Sequence, residues 1–99
     1  MPRLIALYNV PEDPDAFDAH YRDVHSPIVA RYPSLRNVRL TTPVGAAGRP
    51  TPYHLMAEMV FDTDDDLSAA VMSEAGVESA RDLRTFATAG VTIFIAPDA

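Results

Sequence analysis

The chain has 99 residues, a length that suits a single domain spanning 1–99. It has no cysteine and its eight basic residues are all arginine, which excludes disulfides, thiolate metal sites, cysteine nucleophiles and lysine Schiff bases. A formal net charge of −6 argues against nucleic acid and anionic membranes as partners, and no apolar run nears the roughly 20 residues that span a bilayer. Met1-Pro2-Arg3 leads into strand-like sequence without a signal-peptide pattern, so a cytoplasmic location is expected.

Residues Arg3–Asn9 read as a strand with apolar groups on both sides: Leu4, Ala6 and Tyr8 on one, Ile5 and Leu7 on the other. Pro11 and Pro14 stop it, and Asp13-Pro14 opens a helix, with Asp as N-cap and Pro at the first position. The apolar stripe Phe17, Tyr21, Val24, Ile28 follows at spacings of four, three and four. Pro27 removes a backbone donor and disfavours helical geometry at Ser26, so a kink or a restart is expected there. Residues 35–43 form a second strand. Its apolar face (Val38, Leu40) and polar face (Asn37, Arg39, Thr41) suit a sheet edge.

A Gly- and Pro-rich loop over 44–52 precedes a third strand over 53–62. Thr63 then caps a helix whose first turn holds Asp64, Asp65 and Asp66, where carboxylates complement the positive helix end. A break over 73–76 leads to another helix ending near Phe86, with Gly90 as a stop, and Val91–Ala96 is a last, almost wholly apolar strand. The order β-α-β-β-α-β is the split βαβ, ferredoxin-like arrangement, an α+β fold with a four-stranded antiparallel sheet. Helices would cover one sheet face. Three strands are apolar on both sides, so the other face needs a cover, and a second copy pairing face to face into a dimeric α+β barrel is expected.

Three histidines are the candidates for chemistry. His20 and His25 lie five apart, about 140° around an α-helix, and so flank opposite sides of the apolar stripe. That spacing is not a metal pair, and no metal site is expected. His25 precedes the Pro27 irregularity, where carbonyls lose their helical partners; it either caps those carbonyls or serves as an acid–base group. His20, on the other flank, is expected to tolerate replacement. His54, Met56, Glu58 and Val60 share one face of the third strand by period two. A glutamate in that apolar setting is either a cavity carboxylate that orients His25 or a partner of an arginine. Asp82, between Arg81 and Arg84, reads as a surface salt bridge. No nucleotide, flavin or hydrolytic-triad motif is present, and no cofactor is expected.

The stretch Leu7-Tyr8-Asn9, Pro11, Asp13-Pro14, Phe17, His20-Tyr21 and His25-Ser26-Pro27-Ile28 resembles the N-terminal signature of the EthD family, named for a protein needed in bacterial degradation of ethyl tert-butyl ether. The resemblance continues at Tyr32-Pro33-Ser34-Leu35, where the family usually has Pro-Gly-Leu, and at Pro52-Tyr53, Ala57-Glu58, Phe61-Asp62, Asp82-Leu83, Phe86-Ala87 and Gly90-Val91-Thr92. It implies a dimeric α+β barrel with a pocket between helices and sheet, in a superfamily of isomerases, cofactor-free monooxygenases, polyketide cyclases and haem peroxidases. It also implies a pocket histidine, here His25, in a catabolic, oxidoreductase-associated setting. The expected ligand is a small, mostly apolar ring or carbonyl compound. His25 would be catalytic, with Tyr21, Tyr53, His54, Glu58 and Phe86 as substrate-binding residues. The alternative is a non-catalytic accessory or binding subunit for a partner oxygenase.

Overall fold

The structure is a computed structural model describing residues 1–98. Four strands, β1 (Arg3–Asn9), β2 (Asn37–Thr41), β3 (Tyr53–Val60) and β4 (Val91–Ala96), form one sheet of order β2-β3-β1-β4 with every neighbouring pair antiparallel. The ferredoxin-like topology follows, with the half-polar β2 on an edge as its pattern requires.

The helices lie on one face: α1 (Pro14–His20), a π-helical turn (Tyr21–His25), α2 (Ser26–Val29), α3 (Asp64–Met72) and α4 (Glu74–Phe86). Their starts are capped as the sequence requires. Asp13 accepts from the Ala16 N–H at 3.1 Å, Thr63 from the Asp66 N–H at 3.1 Å, and Ser73 from the Gly76 N–H at 3.1 Å. Gly76 lies where α4 abuts the end of α3; a Cβ there would come within 2.3 Å of the Val71 carbonyl oxygen, so only glycine fits.

The first helical region departs from the expected kink. It runs without interruption from Pro14 to Val29 through the π turn, in which the Ser26 N–H donates to the Tyr21 carbonyl five residues back. Wider winding reconciles Pro27 with a continuous helix, because one residue is inserted before the position that has no N–H to give.

The core lies between helices and sheet, built from Leu4, Ala6, Tyr8, Phe17, Tyr21, Val29, Ala57, Met59, Phe61 and Leu67. The opposite face carries no helix. At its centre Ile5 and Glu58 are buried as register partners, while Phe94 on β4 stays 41% exposed. Both edges are apolar and half-exposed on the helix side too, at Leu40 on β2 and at Ile93 and Ile95 on β4.

Ser34 holds a left-handed conformation, φ 60°, a region that favours glycine, at the position where the family it resembles is expected to have one. A side chain there costs about 1–2 kcal/mol, partly offset by the greater chain entropy that glycine loses on folding. Ser34→Gly should therefore stabilise the fold by about 0.5–1 kcal/mol and raise Tm by roughly 4 °C, as read by thermal denaturation.

Candidate functional site

The π turn decides the geometry of the site. In an α-helix, residues four apart stack on one face; in a π turn, residues five apart do. His20 and His25 thus come to the same side, facing α4, and the expectation that they flank opposite sides is corrected. Both reach one carboxylate. His25 Nδ1 donates to Asp82 Oδ2 at 2.9 Å, and His20 Nε2 donates to Oδ1 and Oδ2 at 2.8 and 3.0 Å. Thr85 Oγ1, one turn on along α4, lies 3.1 Å from Oδ1.

Asp82 is therefore no surface ion-pair partner of Arg81 or Arg84: its side chain is 11% exposed and wedged against the two imidazoles. Burial acts to raise its pKa, but the hydrogen bonds from His25, His20 and Thr85 outweigh this and hold it below the usual carboxylate range. An ionised Asp82 can only accept, which makes both facing ring nitrogens donors and fixes the His25 tautomer with its lone pair on Nε2. Burial pushes His25 below the ordinary histidine range against the opposing pull of Asp82, so the ring is a neutral base.

His25 lines a cavity of about 40 Å³ between helices and sheet, and its Nε2 has no hydrogen-bond partner among the described residues. The other polar groups of that wall are Tyr8, Tyr21, Tyr32 and Ser79; Leu4, Ala6, Ala57, Met59 and Ile93 are among the apolar ones. The Tyr32 hydroxyl and Ser79 Oγ lie 2.5 Å apart. Burial pushes the Tyr8, Tyr21 and Tyr32 hydroxyls upward, Tyr21 to about 12, so all three remain proton donors near neutral pH. Ile93 is the most exposed wall residue at 48% and marks the side nearest solvent.

The remaining candidates separate. Tyr21 joins His25 on the cavity wall, with ring centroids 5.3 Å apart. Phe86 packs on both imidazoles, stacked on His20 at 4.6 Å and 5.0 Å from His25, and faces an outer cleft rather than the inner cavity. Glu58 is not a cavity carboxylate. It alternates with the cavity residues Ala57 and Met59, so it points to the other sheet face, where Arg3 donates to it at 2.8 Å. His54 does not share a face with Glu58: Tyr8 pairs with Leu55 and Asn9 with Tyr53, which makes His54 the extra residue of a β-bulge. It reaches α1 instead, with Nε2 2.8 Å from Asp18 and its ring edge-on to Phe17. Neither His54 nor Tyr53 lines the His25 cavity.

Asp82, expected in a surface salt bridge, and His20, expected on the opposite flank, are both brought to the site, and Tyr32 and Ser79 join its wall without having been site candidates. A signal for the first two exists, since His20-Tyr21 and Asp82-Leu83 both belong to the family pattern.

The depressed His25 sets an acid limit on stability. A histidine whose folded pKa lies below its unfolded value of about 6.5 contributes stability that is complete above that value and is lost as pH falls toward the folded pKa. Asp82, also depressed, acts in the same direction below about pH 4. Tm should therefore drop as pH is lowered from 7 to 5, and His25→Gln should flatten that dependence when both proteins are melted across the range.

Comparison with known proteins shows the family and the fold. The EthD domain model matches residues 10–90. A solved EthD-family protein from Bacillus halodurans is 36% identical, with a TM-score of 0.92 over 100% of this chain and 99% of that one. An uncharacterized 11.0 kDa protein of the thcB-thcC intergenic region in Rhodococcus erythropolis is 33% identical over 94% of this chain and 90% of its own length. SnoaB, a cofactor-independent oxygenase from Streptomyces nogalater, shares the fold at 15% identity and a TM-score of 0.71, over 98% of this chain and 91% of that one. With its signature histidines gathered on one carboxylate beneath a ferredoxin-like sheet, this chain belongs to the EthD family.

Proposed function

We propose that the protein is a cofactor-free acid–base enzyme acting on a small, mostly apolar ring or carbonyl compound, with His25 Nε2 as the group that moves the proton. The observation that carries this reading is the 2.9 Å hydrogen bond from His25 Nδ1 to Asp82 beside the cavity, which leaves the opposite nitrogen unpartnered among the described residues. It is the base-and-orienter half of a catalytic triad.

In the proposed step, Nε2 takes a proton from the carbon beside a carbonyl and the bonding electrons move to the carbonyl oxygen. A tyrosine hydroxyl of the cavity wall, Tyr21 or Tyr8, hydrogen-bonds the resulting enolate. In a β,γ-unsaturated carbonyl compound, returning the proton from His25 to the γ-carbon shifts the double bond into conjugation, re-forms the carbonyl and restores the base. The described cavity of about 40 Å³ is smaller than the roughly 150 Å³ that holds an aromatic ring, so a ring must enter by displacing Ile93 on its solvent side. SnoaB, with the same fold, is a cofactor-independent oxygenase, which supports chemistry without a bound cofactor on this scaffold.

Proton exchange in D2O on a panel of cyclic ketones and lactones, followed by NMR, tests the assignment. Exchange should fall by about 10²–10⁴-fold in His25→Gln and by a comparable factor in Asp82→Asn. Equal exchange in wild type and His25→Gln removes His25 as the base. Binding of these compounds without any exchange favours the accessory-subunit reading, a carrier for a partner oxygenase.

The working unit in this proposal is a homodimer. The helix-free sheet face and the apolar edges at Leu40, Ile93, Phe94 and Ile95 are the surfaces a second copy would cover. Sedimentation should give twice the 10.8 kDa chain mass at micromolar concentration, and a monomer mass would rule the dimer out.

A further inference from the structure

Asp82 is held from two sides that open to different spaces. The His25 side chain is 4% exposed and lines the inner cavity. The His20 side chain is 29% exposed and lines a surface cleft of about 340 Å³ together with Glu12, Asp13, Phe17, Thr85 and Phe86. A proton can therefore reach His20 from solvent without entering the cavity. Phe86 packs on both rings, so the two imidazoles and the carboxylate meet against an apolar wall, where charges interact more strongly than in water.

We propose that His20 is a positioning residue that acts through Asp82: a proton arriving on His20 from the cleft claims the shared carboxylate and keeps His25 in its free-base form as the pH falls. The value of this to catalysis rests on the assignment of His25 as the base, whereas the coupling itself follows from the geometry. One carboxylate carries one negative charge. With both rings neutral, each donates an N–H to it. A first added proton makes a neutral ion pair. A second leaves a net positive charge in a largely buried cluster, which is unfavourable. The two histidines then titrate as one unit, and the exposed member takes the first proton because water stabilises its cation.

The surrounding groups do not disturb this order. Around His25 the titratable neighbours are Tyr8 from β1, Tyr21 on the π turn, Tyr32 beyond α2, and Asp82 on α4. The three hydroxyls stay protonated, which leaves Asp82 and His20 as the charges that matter there. On the cleft side His20 shares the lining with the carboxylates of Glu12 and Asp13.

NMR titration of the imidazole signals in wild type, His20→Gln and His25→Gln tests the coupling. Glutamine keeps a neutral N–H donor for Asp82 and removes the charge. The His25 midpoint should rise by about one pH unit in His20→Gln, because the cation that opposes its protonation is gone, whereas the His20 midpoint should not move in His25→Gln, because His20 takes its proton while His25 is still neutral. If His20→Gln does not fold, the order of the two midpoints in the wild type decides, with His20 required to take up its proton before His25. An unchanged His25 midpoint in His20→Gln, or a His25 midpoint above that of His20 in the wild type, overturns the proposal, even where His25→Gln abolishes proton exchange on carbonyl compounds. A raised His25 midpoint in His20→Gln with exchange that survives His25→Gln would instead uphold the coupling and remove the base assignment.

Discussion

An ionised carboxylate on α4, shared by two imidazoles from the first helical region, is the interaction around which this protein is arranged. Asp82 remains charged in a nearly buried position only because donors surround it: His25 and His20 on one side, and the Thr85 hydroxyl one turn along its own helix. Bringing two side chains five residues apart onto one carboxylate is impossible in a regular α-helix. The π turn at Tyr21–His25 resolves this by aligning that spacing. Pro27 belongs to the same solution, because a residue without an N–H is tolerated where the ladder has already shifted.

The fold supplies the rest of the site by placing polar groups where water is excluded. Tyr8 from β1, Tyr21 from the π turn, Tyr32 from the segment after α2 and Ser79 from α4 meet over the small residues Ala6 and Ala57 of the central strands. Those two alanines leave the space that bulkier residues at the sheet centre would fill. Phe86 closes the outer side by packing on both histidines, separating the inner cavity from the cleft at His20. The arrangement has a solvated end and a dry end joined by a single carboxylate, which suits the management of one proton.

The sheet shows the same economy at its edges. β1 and β3 are central and their helix-side residues are buried, whereas β2 and β4 leave Leu40, Ile93 and Ile95 half-exposed. Ile93 belongs both to the cavity wall and to this exposed edge, so a surface that could be covered by another chain lies next to the entry side of the site.

Much of this was legible in the amino-acid sequence, because the rules that set it are local. Period-two alternation marked the strands, Asp13-Pro14 and Thr63 marked two helix starts, and strands apolar on both sides marked a sheet with one face short of cover. The motif residues His20, Tyr21 and His25 pointed to the EthD family and to His25 as the buried histidine. What sequence reading misplaced depended on single-residue insertions or on distant partners. A π turn changed which side His20 faces, and a bulge sent His54 to α1. Glu58 and Asp82 could be assigned only with their partners in view: Arg3 lies 55 positions from Glu58, and His25 lies 57 from Asp82. Periodicity assumes constant winding and regards only near neighbours. The tertiary structure alone decided which carboxylate meets which base, because that choice is made by packing between elements remote in the chain.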